Sequence, residues 1–261
     1  MAQDSHSTFN FLPSSMDKEC SKAAATLRSF CGNPLTGFTE SRPLILLAVD
    51  SILTSTSSSP VSKSKASIPH EVLANCIALV IFSTARIGMH LSGSTGSGII
   101  IARLSDGSWG PPAGIKVHGL SAGIGAGVAV YDCVCVVNTK EGLMQFTEKR
   151  VGLGSQVSVA AGPFGAGGGE SRAAEGGLDP QKAIPAVYTY VKTRGLYAGV
   201  QIDGTVVSQR EDANAAFYGE KVTVQQILRG EVRPQESEKL WPKATAGLME
   251  TLNSVETVLK A

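Results

Sequence analysis

The apolar residues Met16, Cys20, Ala23, Ala24, Leu27, Phe30 and Cys31 recur at intervals of three and four, while Lys18, Lys22 and Arg28 fall on the other side. That spacing predicts a short amphipathic helix over 16–31, stopped at Gly32 and the Asn33-Pro34 pair. A second helix is predicted with Ser41 as cap and Pro43 in its first turn, burying Leu44, Ile45, Leu47, Ala48 and Ile52. Residues 1–15 carry no period and are expected to be disordered. The Ser/Thr stretch 54–67, which holds Lys63 and Lys65, reads as a loop.

After Pro69 a short helix to about Cys76 is expected, and from there to about Ile202 the pattern turns to strands. The β-branched run Ile99-Ile100-Ile101 is followed by Asp106-Gly107, a hairpin signal. Residues 128–137 alternate, with Val128, Val130, Val134 and Val136 on one side and Tyr131, Cys133, Cys135 and Val137 on the other. Asp132 interrupts the valine side and needs either an edge position or a hydrogen-bond partner. Further strands are expected at 156–161, 187–191, 196–202 and 205–209, the last two joined by a turn at Asp203-Gly204. Toward the end, Thr223 can cap a helix ending at Gly230, and Leu248, Leu252, Val255 and Leu259 form an apolar stripe on another. The pattern predicts an α+β fold, a twisted antiparallel sheet or partial β-barrel flanked by N- and C-terminal helices. A single domain is expected over 16–261, divided into N-terminal helices with the Ser-rich loop (16–67), a glycine-rich β core (68–210) and C-terminal helices (211–261).

Composition narrows the function classes. The 261 residues carry 23 Lys+Arg against 22 Asp+Glu, a formal charge of +1, which argues against a nucleic-acid binder built on a strong basic field. Of 29 glycines, the greater part lies between Gly88 and Gly177, where they are expected to mark turns, bulges and close backbone approaches. The five cysteines, Cys20, Cys31, Cys76, Cys133 and Cys135, do not form a disulfide framework or a zinc-like spacing, so neither metal nor cofactor is expected. The first residues lack a secretory pattern, and no apolar run approaches the roughly 20 residues of a membrane span; a cytoplasmic protein, peripheral to membrane or cortex, is expected.

Gly119-Leu120-Ser121-Ala122-Gly123 matches a nucleophile elbow, but His6, His70, His90 and His118 all precede Ser121, the wrong chain order for that hydrolase fold. The runs 93–98 and 123–127 lack dinucleotide spacing and a Walker lysine. The basic residues say more. Between Ser51 and Tyr131, Lys63, Lys65, Arg86, Arg103 and Lys116 face only Glu71 and Asp106. Beside Lys18, Lys22 and Arg28 they could form an anionic-membrane surface, or simply solvated loop charge.

The run from Ser97 to Pro112, SGIIIARLSDGSWGPP, resembles the central motif of the SYLF domain family, the actin-regulating, lipid-binding module of yeast endocytic patch proteins and their relatives. Further pieces follow in the family's order: Ile68-Pro69, Tyr131-Asp132 to Asn138, Val159 to Pro163, Tyr188 to Tyr190, Gly195 to Val200, Arg210 to Asn214, Phe217-Tyr218-Gly219 and Ile227 to Gly230. The resemblance covers about Met16 to Leu248. It implies phosphoinositide binding, membrane remodelling and, in fungal members, actin binding, with no established catalysis. It further implies lipid contact by the N-terminal helix and neighbouring bases, with Lys18, Lys22, Arg28, Arg86 and Arg103 as the candidates by position; Lys63, Lys65 and Lys116 are added as lipid-binding candidates from the local excess of positive charge, and Met16, Leu27 and Phe30 are expected to enter the headgroup boundary. Arg103 has a rival role, pairing with Asp106 or Asp132. The chain departs from the family pattern at Arg86-Ile87-Gly88-Met89, where the family's lysine is an arginine, and at Ala129 and Ala166, where a charge is lost; no Src-homology-3 tail is expected, the sequence ending at Ala261. Two other readings stay open: a small-molecule binding protein or enzyme with a pocket at Trp109, Tyr131, Cys133 and Tyr197, and a scaffold self-associating through the Leu248 to Leu259 stripe.

Overall fold

The computed structural model describes residues 11–31, 68–147, 150–169, 187–234 and 237–257. The expected helix after Ser41, the 54–67 loop with Lys63 and Lys65, residues 1–10 and Leu259 lie outside the described residues. Among those described the elements run α1 (Met16–Cys31), α2 (His70–Asn75), β1 (Ala78–Ala102), β2 (Ala113–Val137), α3 (Lys140–Thr147), β3 (Arg150–Gly169), β4 (Val187–Gln209), α4 (Glu211–Tyr218), α5 (Val224–Leu228), a short 3-10 turn (Lys243–Thr245) and α6 (Ala246–Thr257). The fold is α+β, as the pattern predicts.

All four strands pair antiparallel in the order β1-β2-β4-β3. The β2–β4 register is unbroken from Ile115 opposite Gln209 to Val137 opposite Val187. Here the structure corrects the sequence reading: Asp203-Gly204 is no turn, because β4 runs straight through it, opposite Ser121 and Leu120. The glycine runs 93–98 and 119–127 also lie within strands rather than between them.

β1 is long enough to come back on itself. Arg103 N–H donates to Ile77 O, and a side chain added at Gly96 or Gly98 would overlap the carbonyl oxygens of Ser83 and Ile81. The two ends of β1 therefore lie backbone against backbone, an approach only glycine allows. Doubling the strand back also hides a hydrogen-bonding edge that would otherwise invite pairing with another chain.

Both faces of the sheet are covered where its ends meet. Ile99, Ile100 and Ile101 are buried in succession, and so are Cys133 to Val137, without the in-out alternation expected of a half-exposed strand. Asp132 is hydrogen-bonded, accepting from Ser83 Oγ at 2.6 Å. The helices close over this end. α1 buries Met16, Cys20, Ala23, Ala24, Leu27 and Phe30, and α6 packs on α1 and α2 through Leu248, Leu252 and Val255, all buried. The described residues of that stripe are thus used inside the chain and are not free for self-association.

Several ends follow local rules. Thr223 and Gln226 form a reciprocal capping box on α5. α4 stops at Gly219, whose φ of 74° is left-handed. Asp106 accepts from the Ser108 N–H and hydroxyl in the hairpin turn, which holds its carboxyl below the ordinary range. α3 has no counterpart in the predicted elements, although Thr139 caps it by accepting from Gly142 N–H at 3.0 Å.

Candidate functional site

α1 docks through a charge as well as through its apolar stripe. Glu19 lies within that stripe, three residues from Met16 and four from Ala23, and is 1% exposed. Its Oε1 accepts from Ser14 N–H at 2.7 Å, Ser14 Oγ at 2.9 Å and Ser97 Oγ at 2.9 Å. Arg210 Nη1 at 3.3 Å and Lys22 Nζ at 3.4 Å complete the cluster, while Arg210 Nη2 donates to Ser14 O at 2.7 Å. A buried carboxylate is tolerable only with such partners. The hub joins the residues before α1, the later part of β1 and the residue that follows β4. At the other end of α1, Lys192 from β4 donates to Ser29 O and stands over the Phe30 ring at 4.6 Å. Its cation meets the negative end of the helix dipole.

A second cluster surrounds Arg103. Its Nε donates to Cys76 O at 3.0 Å, Nη1 to Gly107 O at 2.9 Å, and Nη2 to Leu73 O at 3.3 Å and Glu256 Oε1 at 2.6 Å. Trp109 Nε1 donates to the same carboxylate oxygen at 2.7 Å, and the guanidinium stacks 4.3 Å from the Trp109 ring centroid. The arginine, the hairpin tryptophan and Glu256 of α6 tie three separate segments together. The expected structural partner, Asp106 or Asp132, is therefore replaced by Glu256, a residue distant in sequence.

Among the described residues the basic positions divide between the surface and the interior of the fold. Lys18 and Arg28 are exposed on the outer side of α1, with Arg28 Nη2 reaching Gly247 O at 3.5 Å. Lys22 also donates to Leu12 O at 2.7 Å. Lys116 is exposed on β2 opposite Ser97, next to the hub. Arg86 is buried, its guanidinium 4.9 Å from the Tyr131 ring, and Arg103 is engaged as described. The expected insertion of Met16, Leu27 and Phe30 into lipid is overturned: all three are buried against the sheet, Leu27 and Phe30 completely. Each contributes roughly 1.5–3 kcal/mol of burial where it is, so drawing them out would only return what the fold already gains.

The described pocket residues do not line a common cavity. Trp109 is held by Arg103 and Glu256, Cys133 is buried in the core, Tyr131 lies against Arg86, and the Tyr197 side chain is outside the described residues. A cavity of about 10 Å³ lies between α1 and β1, lined in part by Glu19, Ala23, Ile81, Ser83 and Ser97. That is room for one water, and none of the four residues lines it. Ser121 sits mid-strand opposite Ser92 and Asp203, without the sharp strand-to-helix turn of a nucleophile elbow. All five cysteines are free and buried. Burial pushes Cys76, Cys31 and Cys135 up to about 11 and Cys20 to about 12, the last with help from Glu19 and Asp17. Such thiols are poor nucleophiles and poor metal ligands. Among the described residues no group of three or more His, Cys, Asp or Glu is placed to hold a metal, and no helix is long and apolar enough to cross a membrane.

A family described as "Ysc84: Las17-binding protein actin regulator" matches residues 118–255. The chain belongs to this family, which is the SYLF membership its motifs imply. Among relatives, it is 34% identical over 226 residues to LAS seventeen-binding protein 3 of Saccharomyces cerevisiae, an alignment covering 86% of this chain and 43% of that protein. It is 34% identical over 250 residues to the SH3 domain-containing protein PJ696.02 of Schizosaccharomyces pombe, covering 94% and 49%. It is 35% identical over 176 residues to the human SH3 domain-containing YSC84-like protein 1, covering 67% and 49%. The chain spans about half the length of the curated relatives it matches, or somewhat less. No solved structure matches it.

Of the residues that build the two clusters, sequence reading missed Glu19 and Glu256 and assigned no role to Ser97 or Arg210, which it named only within motifs. Glu19 was visible in principle as a charge at the i+3 and i−4 positions of an apolar stripe. Glu256 carried no comparable signal, since its partners lie about 150 residues away.

Proposed function

We propose that the chain is a non-catalytic adaptor that docks at the periphery of anionic, phosphoinositide-bearing membrane and couples it to cortical actin. The observation that carries this reading is family membership, in a family described as actin regulators and with 86% of the chain aligned to a relative named for Las17 binding. The geometry supports it to a lesser degree. Lys18, Arg28 and Lys116 are exposed on the outside, where each base near an anionic surface contributes about 1 kcal/mol, and the thiols and Ser121 have no catalytic setting.

Co-sedimentation tests both halves. The purified chain should pellet with phosphoinositide-containing vesicles at low salt and progressively less as salt screens the contact, and it should pellet with actin filaments. No pelleting, or pelleting with vesicles that is indifferent to salt and to phosphoinositide, would refute the membrane half. Absence from the filament pellet would refute direct actin contact.

A further inference from the structure

Four of the most exposed large aliphatic side chains among the described residues share one surface. Leu120 is 71% exposed, Ile87 63%, Val128 53% and Val206 40%. Because the β2 register with β4 is unbroken, positions 116, 118, 120 and 128 fall on the same face of β2. Ile87 stands directly opposite Val128. Val206 stands opposite His118 and is thereby diagonal to Leu120. The same face is buried at Val134 and Val136, where the fold closes over it, and becomes bare farther along. Lys116, opposite the Ser97 that bonds Glu19 beneath α1, marks the border.

We propose that this bare apolar face, centred on Ile87, Leu120, Val128 and Val206, is the surface that enters the headgroup boundary of an anionic bilayer. The assignment rests on the membrane reading above and moves the lipid contact from α1 to the sheet. Charge favours it. Within residues 87–102 and 113–131 the one charged side chain is Lys116, which is positive and exposed at the edge of the patch beside His118. Aliphatic residues with a cation at their border suit acyl chains below and phosphates beside them. A protein partner is gripped by aromatic and arginine anchors seated in pockets. The described exposed residues of this face offer none; Gly93, opposite Leu120, leaves open space where a side chain would stand.

The test is flotation of the full chain with phosphatidylcholine vesicles carrying phosphatidylserine and phosphoinositide. The double variant Leu120→Ser/Val128→Ser should lower partitioning at least about tenfold with an unchanged melting temperature. Met144→Ser, which removes an equally exposed side chain on α3, should leave it unchanged. An environment-sensitive dye on Leu120→Cys should shift to the blue on vesicles. If the wild type floats and the double variant floats equally well, this surface assignment is overturned while the membrane reading stands. If the wild type does not float at low salt, the membrane reading itself fails and takes the surface with it. If light scattering shows a wild-type dimer that the double variant dissolves, a second copy occupies the face and the proposal is wrong.

Discussion

Replacing Arg103 by alanine separates two roles that the motif around it leaves confounded. As a lipid ligand, Arg103 would be dispensable for folding. In the structure it spends its donors on the carbonyls of Cys76, Leu73 and Gly107 and on Glu256, and stacks on Trp109. The Arg103 and Glu256 side chains are 17% and 29% exposed, so the ion pair contributes only about 1 kcal/mol. The carbonyl bonds add roughly 1 kcal/mol each and the ring stack about 1 kcal/mol more. These contributions overlap, and water replaces some of them after truncation, so the expected loss is about 2–4 kcal/mol. For a domain of this size that lowers Tm by roughly 5–12 °C. Differential scanning calorimetry of R103A measures it. R103K, which keeps the charge but cannot span three carbonyls and a carboxylate at once, should recover less than half. Vesicle partitioning of R103A, measured well below its Tm, should match wild type. An unchanged Tm with partitioning lost would refute this account and restore Arg103 as a lipid contact.

Glu19→Gln keeps the shape of the hub but leaves Arg210 and Lys22 without their anion, so urea unfolding should show a loss of about 2–4 kcal/mol; a change within about 0.5 kcal/mol would show the charge to be idle. Gly98→Ala places a methyl into the Ile81 carbonyl and should yield insoluble or strongly destabilised protein, whereas Gly93→Ala, with open space around it, should express and melt like wild type; equal behaviour of the two would argue against the doubled-back strand. The buried thiols set an alkaline limit. Their folded pKa values lie above the ordinary 9.0, so an unfolded chain loses these protons first, and stability should decline from pH 9.0 until the folded thiols at about 11 also ionise. A melting temperature flat across that window would show the thiols to be accessible, as would rapid reaction with a disulfide reagent at neutral pH.

How far the fold was legible depended on whether side chains or backbone carried the information. α1 could be read from its spacing, the hairpin from Asp106-Gly107 and α5 from Thr223, because in each case the determining residues are local. The glycine runs misled for a physical reason. Glycine is equally at home in a turn and in a strand pressed against another backbone, and at Gly96 and Gly98 the second use applies, which only the three-dimensional return of β1 reveals. Asp203-Gly204 has the dipeptide of a hairpin turn, yet continuous pairing with β2 overrides the local preference. The binding surface was the least legible part. An amphipathic helix with lysines opposite its apolar stripe has the same sequence pattern whether that stripe meets lipid or a sheet, and the sheet was not yet there to be counted. The patch at Ile87, Leu120, Val128 and Val206 was hidden among residues that a period of two leaves ambiguous until one face is known to be covered.

The stretch that aligns with the family description starts at residue 118, partway along β2, although the strand that completes the other half of the ladder lies before it. A gene fragment cut to that recognisable stretch would omit α1 and all of β1, with Ile81 and Ile99 to Ile101, and would leave the β1-facing edge of β2 unpaired. The stretch recognised by its family pattern is thus shorter than the packed unit, and truncations or grafts of this module should need the residues from α1 onward to keep that packing.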